Sequence, residues 1–202
     1  MLSWLIESDK AFFELINGHW HNAWFNMLMP FWRDKRSWIP LYILIAAILF
    51  WKYQWKALPL FLLTGLVVLL GDQISSELFK KTIMRPRPCN DPTMQASLQL
   101  LVPCGSGYSF TSSHATNHFA LAYLFIRFLI PILPKQKTVY KYLLISVLFL
   151  WAALVAYAQV YVGVHYPLDV FCGALLGTGI AALAYRVFRR LVFSSPQRHK
   201  EH

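Results

Sequence analysis

Five stretches of this chain, residues 38–55, 58–79, 115–133, 142–161 and 168–188, are apolar enough to cross a bilayer, a path that needs about 20 mostly apolar residues. In hydrocarbon every backbone N–H and C=O must find its partner inside the protein, so such stretches fold as helices. The sequence therefore predicts an all-α, polytopic membrane helix bundle with about five transmembrane helices. Pro30, Pro40, Pro59, Pro131 and Pro134 fall near the ends of the apolar runs, where a missing N–H costs least. The composition agrees: 57% of the 202 residues are hydrophobic and 14% charged, against about 25% charged in a soluble domain.

Residues 1–37 are apolar but interrupted by Glu7, Asp9, Lys10, Glu14, His19 and His21. With Trp4, Trp20, Trp24 and Trp32 they read as N-terminal interfacial amphipathic helices, although hydropathy leaves an extra span open. A transmembrane domain over 38–192 and a polar cytoplasmic tail over 193–202 complete the expected organisation. The opening MLSWLIESDK lacks the basic flank of a removable signal peptide.

The formal charge of +10 is compatible with nucleic acid, anionic lipid or topology signals. Its Lys and Arg lie in short clusters between apolar runs, and no nucleic-acid motif accompanies them. No nucleic acid partner is expected; membrane lipids and a phosphate are. With five spans, ten Lys and Arg fall on one side and seven on the other. The ten mark the cytoplasmic side, so the loop around 82–113 is expected outside the cytoplasm.

Three polar clusters then share the outer face. The first, KKTIMRPRP, ends the second span with Lys80, Arg85 and Arg87; cations beside stiffened backbone suit a phosphate, or serve as interfacial anchors. The second, SFTSSHATNH, opens the third span, where Ser112 and Ser113 resemble a helix cap whose free N–H groups face an anion, with His114 in the first turn. An ordinary cap with interfacial histidines is the plainer alternative. In the third, VGVHYPLD, His165 and Asp169 stand four residues apart. Asp169 can hold one ring nitrogen and leave the other to attack, or simply cap the helix that Pro167 begins.

These residues resemble the signature of the type 2 phosphatidic acid phosphatase superfamily, Lys-x6-Arg-Pro, Pro-Ser-Gly-His and Ser-Arg-x5-His-x3-Asp. Lys80, Arg87, Pro88, Ser112, His114, His165 and Asp169 match it; Thr111, Ser113, Ala158 and Gln159 depart from it. The resemblance implies that His165 forms a phosphohistidine, that Asp169 orients it, and that His114 protonates the leaving oxygen and then activates water. It implies phosphate ligands in Lys80, Arg87, Ser112 and Ser113, with no metal and no cofactor. Gln159 stands where the family carries arginine; Arg85 is the expected replacement, and the Gln159 amide can still donate.

Several polar residues have supporting roles in this reading. Asp72, Asn117 and His118 are expected behind the cradle or along its wall, and Glu77 can pair with Lys81. The His114–His118 spacing can bind metal, but no metal site is expected without the intervening carboxylate of zinc proteases. Cys89 and Cys104 lie in one outer loop and are candidates for a disulfide; Cys172 reads as packing. The function expected is hydrolysis of a lipid phosphate or diphosphate (polyprenyl diphosphate, phosphatidylglycerophosphate, phosphatidic acid or lipid A phosphate) on the outer face of a bacterial inner membrane. The rival is a lipid-headgroup binder or transport protein on the same scaffold, impaired in turnover by Gln159.

Overall fold

The computed structural model describes residues 2–134 and 136–193. Apart from its first residue, the expected 193–202 tail lies outside them. Two helices too short to cross a bilayer come first, α1 (Leu2–Glu14) and α2 (Ala23–Arg33). The Asn22 side chain starts α2 by accepting from the N–H of Phe25.

Four helical stretches are long and apolar enough to span a membrane: Lys35–Asn90, Ser113–Ile132, Thr138–Tyr161 and Pro167–Leu191. The first contains α3 (Ile39–Tyr53) and α4 (Leu58–Gln73), separated by a short 3₁₀ turn that Gln54 enters at φ 51°. A π-helical turn (Ile74–Lys80) and a single α turn, α5 (Lys81–Ile83), continue α4. The other three stretches are built on α6 (Ser113–Leu129), α7 (Thr138–Tyr161) and α8 (Pro167–Phe193).

Contacts with α6 show that the first stretch doubles back. Tyr42 of α3 meets the His118 ring and Tyr53 donates to the carbonyl of Phe128, both at 3.3 Å. So α3 runs alongside α6 in the same sense. By contrast α4 packs along α6 and delivers its end, Asp72, to Asn117 near the start of α6. The two therefore run oppositely, and Lys35–Asn90 crosses twice, as the sequence led one to expect.

Helix α6 is the central post, buried along Ala115, Ala120, Ala122, Leu124 and Phe125 and flanked by α3, α4, α7 and α8. In lipid, helices associate through close packing of small residues, and α8 meets this need with glycine. A Cβ on Gly177 would lie 1.9 Å from the Thr116 carbonyl oxygen, and one on Gly173 would lie 2.7 Å from that of Ser112. The two backbones touch, and the Ser112 N–H donates to the Asp169 carbonyl at 3.1 Å. The starts of α6 and α8 are thereby locked side by side. Above them runs the loop from Met84 to Ser112, where Cys89 and Cys104 are joined with Cα atoms 6.0 Å apart.

Candidate active site

His165 projects from a tight turn between α7 and α8. The N–H groups of Val164 and His165 both donate to the Gln159 carbonyl at 3.2 Å. Gly163 turns the chain at φ 88°, where a Cβ would press on Leu98 and the Gln99 carbonyl at 3.0 Å. The imidazole is 2% exposed. Arg87 Nη1 lies 3.2 Å from its Nε2. A guanidinium can only donate, so Nε2 is the lone-pair nitrogen and the ring proton sits on Nδ1. Nδ1 faces Ser109 Oγ at 3.3 Å and Asp169 Oδ2 at 3.6 Å.

The Ser109 hydroxyl in turn donates to Asp169 Oδ2. The expected hold of Asp169 on the ring thus passes through Ser109, because 3.6 Å exceeds a direct hydrogen bond. Burial pushes the His165 imidazole below its usual titration range, against the opposing pull of Asp169, which favours the neutral ring.

Asp169 is fully buried at the start of α8. Its Oδ2 accepts from the Tyr166 N–H at 2.8 Å, and its Oδ1 from Arg85 Nη1 at 2.9 Å. Arg85 is therefore bound to the orienting carboxylate. Its Nη2 reaches Asp9 at 2.6 Å, and its plane stacks 3.9 Å over the Tyr166 ring. These engagements turn it away from the phosphate role expected of it. Asp9, on α1, also accepts from the Leu168 N–H at 2.8 Å, capping a free donor of α8. Burial raises its carboxyl above the usual range, while Arg85 and that N–H oppose the shift.

Asp9→Asn keeps the cap and removes the charge beside Arg85. The expected outcome is a fall in kcat of about tenfold, equivalent to about 1.4 kcal/mol, with KM barely moved. An unchanged kcat in steady-state assays would reduce Asp9 to a scaffold residue.

Around His165 the cations gather. Lys80 Nζ donates to Ser113 Oγ at 2.9 Å, and Ser75 Oγ lies 2.8 Å from the same hydroxyl. Arg87, 9% exposed, is held by the carbonyls of Val164, Ser106 and Gly107. Ser112 caps α6, its Oγ accepting from the Ala115 N–H at 3.5 Å. His114, in the first turn, is close enough for Arg33, Lys35 and His165 to act on its charge. Gln159 is fully buried and its Oε1 accepts from Arg33 Nε at 3.2 Å.

Asp72 and Asn117 bond to each other at 2.8 Å on the side of α4. His118 uses Nδ1 on the His114 carbonyl and Nε2 on the Tyr42 hydroxyl, and it lines the cavity beside His114 together with Asn117 and Asp72. Glu77 and Lys81 form the expected pair, away from the site.

A cavity of about 460 Å³ opens beside His114 and Ser113, with Lys35 and Asp72 at its polar end. It descends between α3, α4 and α6 past Leu121 to Leu49, Phe61 and Phe125. From His114 to Phe125 is three helical turns, about 16 Å at about 1.5 Å per residue.

Three residues important to this geometry were not among the candidates. Asp9 is signalled in the sequence only as a carboxylate inside an apolar helix, and Ser109 only by membership of the second cluster. Arg33 is one of the seven Lys and Arg on the outer side of the charge count, and nothing in the sequence ties it to Gln159.

A multi-pass helical membrane protein with buried His and Asp beside a Lys and an Arg that no described carboxylate bonds has the form of a phosphate-handling membrane protein. The family is definite: the chain belongs to the PAP2 superfamily, whose sequence model matches residues 57–193. It is 31% identical to the lipid A 4'-phosphatase of Bacteroides thetaiotaomicron over 95% of this chain and 81% of that one. It is also 31% identical to the undecaprenyl-diphosphatase of Sulfolobus acidocaldarius, over 87% and 76%. Among solved structures it resembles the transmembrane PAP2-type phosphatidylglycerolphosphate phosphatase of Bacillus subtilis, with TM-score 0.71 and 26% identity over 93% of this chain and 87% of that one. The family indicated by the motifs is the family found.

Proposed function

We propose that this chain hydrolyses a lipid phosphate or diphosphate ester through a phosphohistidine on His165, on the outer face of a bacterial inner membrane. The observation that carries the reading is the Arg87–His165 contact, which identifies Nε2 as the lone-pair nitrogen amid cations, while Ser109 and Asp169 hold the opposite nitrogen. A neutral, oriented imidazole facing an anion is a nucleophile.

Nε2 attacks phosphorus, forming an N–P bond as the P–O bond to the lipid breaks. His114, charged while the phosphate dianion lies beside it, gives its proton to the departing oxygen. It then takes a proton from water, whose oxygen attacks phosphorus, breaks the N–P bond and releases inorganic phosphate. Lys80, Arg87 and the Ser112–Ser113 turn stabilise the equatorial oxygens. The apolar cavity beneath His114 suits the lipid chain, which reaches the site from within the bilayer. Relatives named for lipid A, undecaprenyl diphosphate and phosphatidylglycerolphosphate set the substrate panel. Lipid A phosphate heads it, because that relative aligns along nearly the whole chain. The disulfide supports an outer face, since such bonds persist in oxidising compartments.

The test is a quench in alkali, where phosphohistidine survives, during turnover of the labelled lipid phosphates in micelles. Label recovered on the peptide carrying His165 is the expected result; steady turnover with no label there overturns the mechanism.

A further inference from the structure

We propose that Arg33 is a third cationic ligand of the substrate phosphoryl group, reaching from the end of α2 over the uncharged Gln159. The proposal rests on the phosphatase reading above and extends it to a residue outside the segment matched to the family.

Gln159 occupies a sensitive place. Its carbonyl closes the turn that carries His165, and its side chain is fully buried. An amide there brings no charge to an anion. Its Oε1, however, accepts from Arg33 Nε at 3.2 Å, which fixes the guanidinium plane from one edge. Among the described residues this is the only hydrogen bond of the Arg33 side chain, so its two Nη groups are left to donate. Gln159 Nε2 is itself buried with no partner.

The charges tell the same story. Arg33 lies within electrostatic reach of Arg87 and of His114. Burial first, and Arg87 second, disfavour its positive charge. Among the described residues none of Arg33, Lys80 and Arg87 forms an ion pair with a carboxylate. Asp34, the neighbour of Arg33, bonds its carboxylate to the Arg36 N–H and offsets the cost to the Arg33 charge only in part. Asp34, Asp72 and Asp169 lie near enough to act on these cations, but no described carboxylate is bonded to them; Arg87 repels both Arg33 and Lys80, and a dianion among the three relieves that repulsion. A phosphoryl group with its spread equatorial charge is the anion that a guanidinium fork fits.

Four proteins in micelles test this: wild type, Arg33→Ala, the double variant Arg33→Ala/Gln159→Arg, and Arg36→Gln as an exposed control. Arg33→Ala is expected to lower kcat/KM about 10- to 150-fold, the loss of one charge-assisted contact. The double variant recovers most of it by returning a guanidinium from the adjacent side chain, and Arg36→Gln matches wild type. Affinity for inorganic phosphate, measured by thermal shift without turnover, follows the same order.

Wild-type activity and phosphate affinity in Arg33→Ala overturn the proposal. So does a loss that comes with a lowered Tm and is not recovered by Gln159→Arg, which makes Arg33 structural. The two readings fail separately. Wild-type protein that binds phosphate through Arg33 but hydrolyses no lipid removes the phosphatase and keeps the ligand.

Discussion

His165→Ala is expected to lower phosphate release from the preferred lipid by about four orders of magnitude or more, the scale of losing a nucleophile. The reasoning begins with what the substitution leaves in place. The turn is closed by the Gln159 carbonyl and by Gly163, neither of which depends on the imidazole. Arg87 keeps the Val164 and Gly107 carbonyls as acceptors, and Asp169 keeps Arg85, Ser109 and the Tyr166 N–H. The cradle therefore persists, and the protein should still bind inorganic phosphate, if more weakly. What disappears is the lone pair that the proposed mechanism turns on phosphorus. A variant that releases phosphate at the wild-type rate would show that the attacking group lies elsewhere.

The second large effect concerns assembly. Gly177→Ala is expected to destabilise the bundle strongly, by about 3 kcal/mol or more, read as a steep fall in Tm in detergent. Its Cβ would sit 1.9 Å from the Thr116 carbonyl oxygen, and backbone cannot step aside as a flexible side chain can. The helices must separate, which breaks the shared edge where Ser112 donates to Asp169. Activity is expected to fall with stability for that reason. The comparison lies in the same molecule. Gly65 in α4 and Gly179 in α8 have nothing within 4 Å of an added Cβ; alanine there is expected to be neutral or, by about 1 kcal/mol, stabilising through helix propensity. Equal Tm values for Gly177→Ala and Gly179→Ala would refute the close crossing.

What the sequence discloses depends on how local the governing physics is. Hydrocarbon forces apolar runs into helices, so stretches expected at 142–161 and 168–188 appear as Thr138–Tyr161 and Pro167–Phe193. The cap at Ser112 and the helix start at Pro167 are equally local, settled by an unpaired N–H and a fixed φ. Arg85 shows the limit. It stands two residues before Arg87 and was expected beside it, but in a loop neighbouring side chains share no direction. Arg87 turns to His165 while Arg85 turns to Asp9 and Asp169. Ser109 lay within a cluster rich in Ser and Thr, where nothing distinguishes a bridge from a cap. Arg33 and Gln159 are separated by 126 residues, and no periodicity links them; only the folding of α2 over the bundle brings them together.

That folding bears on when the protein comes alive. Asp9 precedes its partners Arg85 and Leu168 by 76 and 159 residues. Arg33 likewise waits for Gln159, and Asn17 for the carbonyl of Tyr161. The leading segment has earlier partners in the loop, where Lys10 pairs with Asp91 and Asn17 accepts from the Gln99 N–H, but its seat is complete only once Leu168 has been made. The cluster that Arg33, Gln159, His165 and Asp169 form is thus assembled only when residues 159–169 have been made, however early its other members are in place.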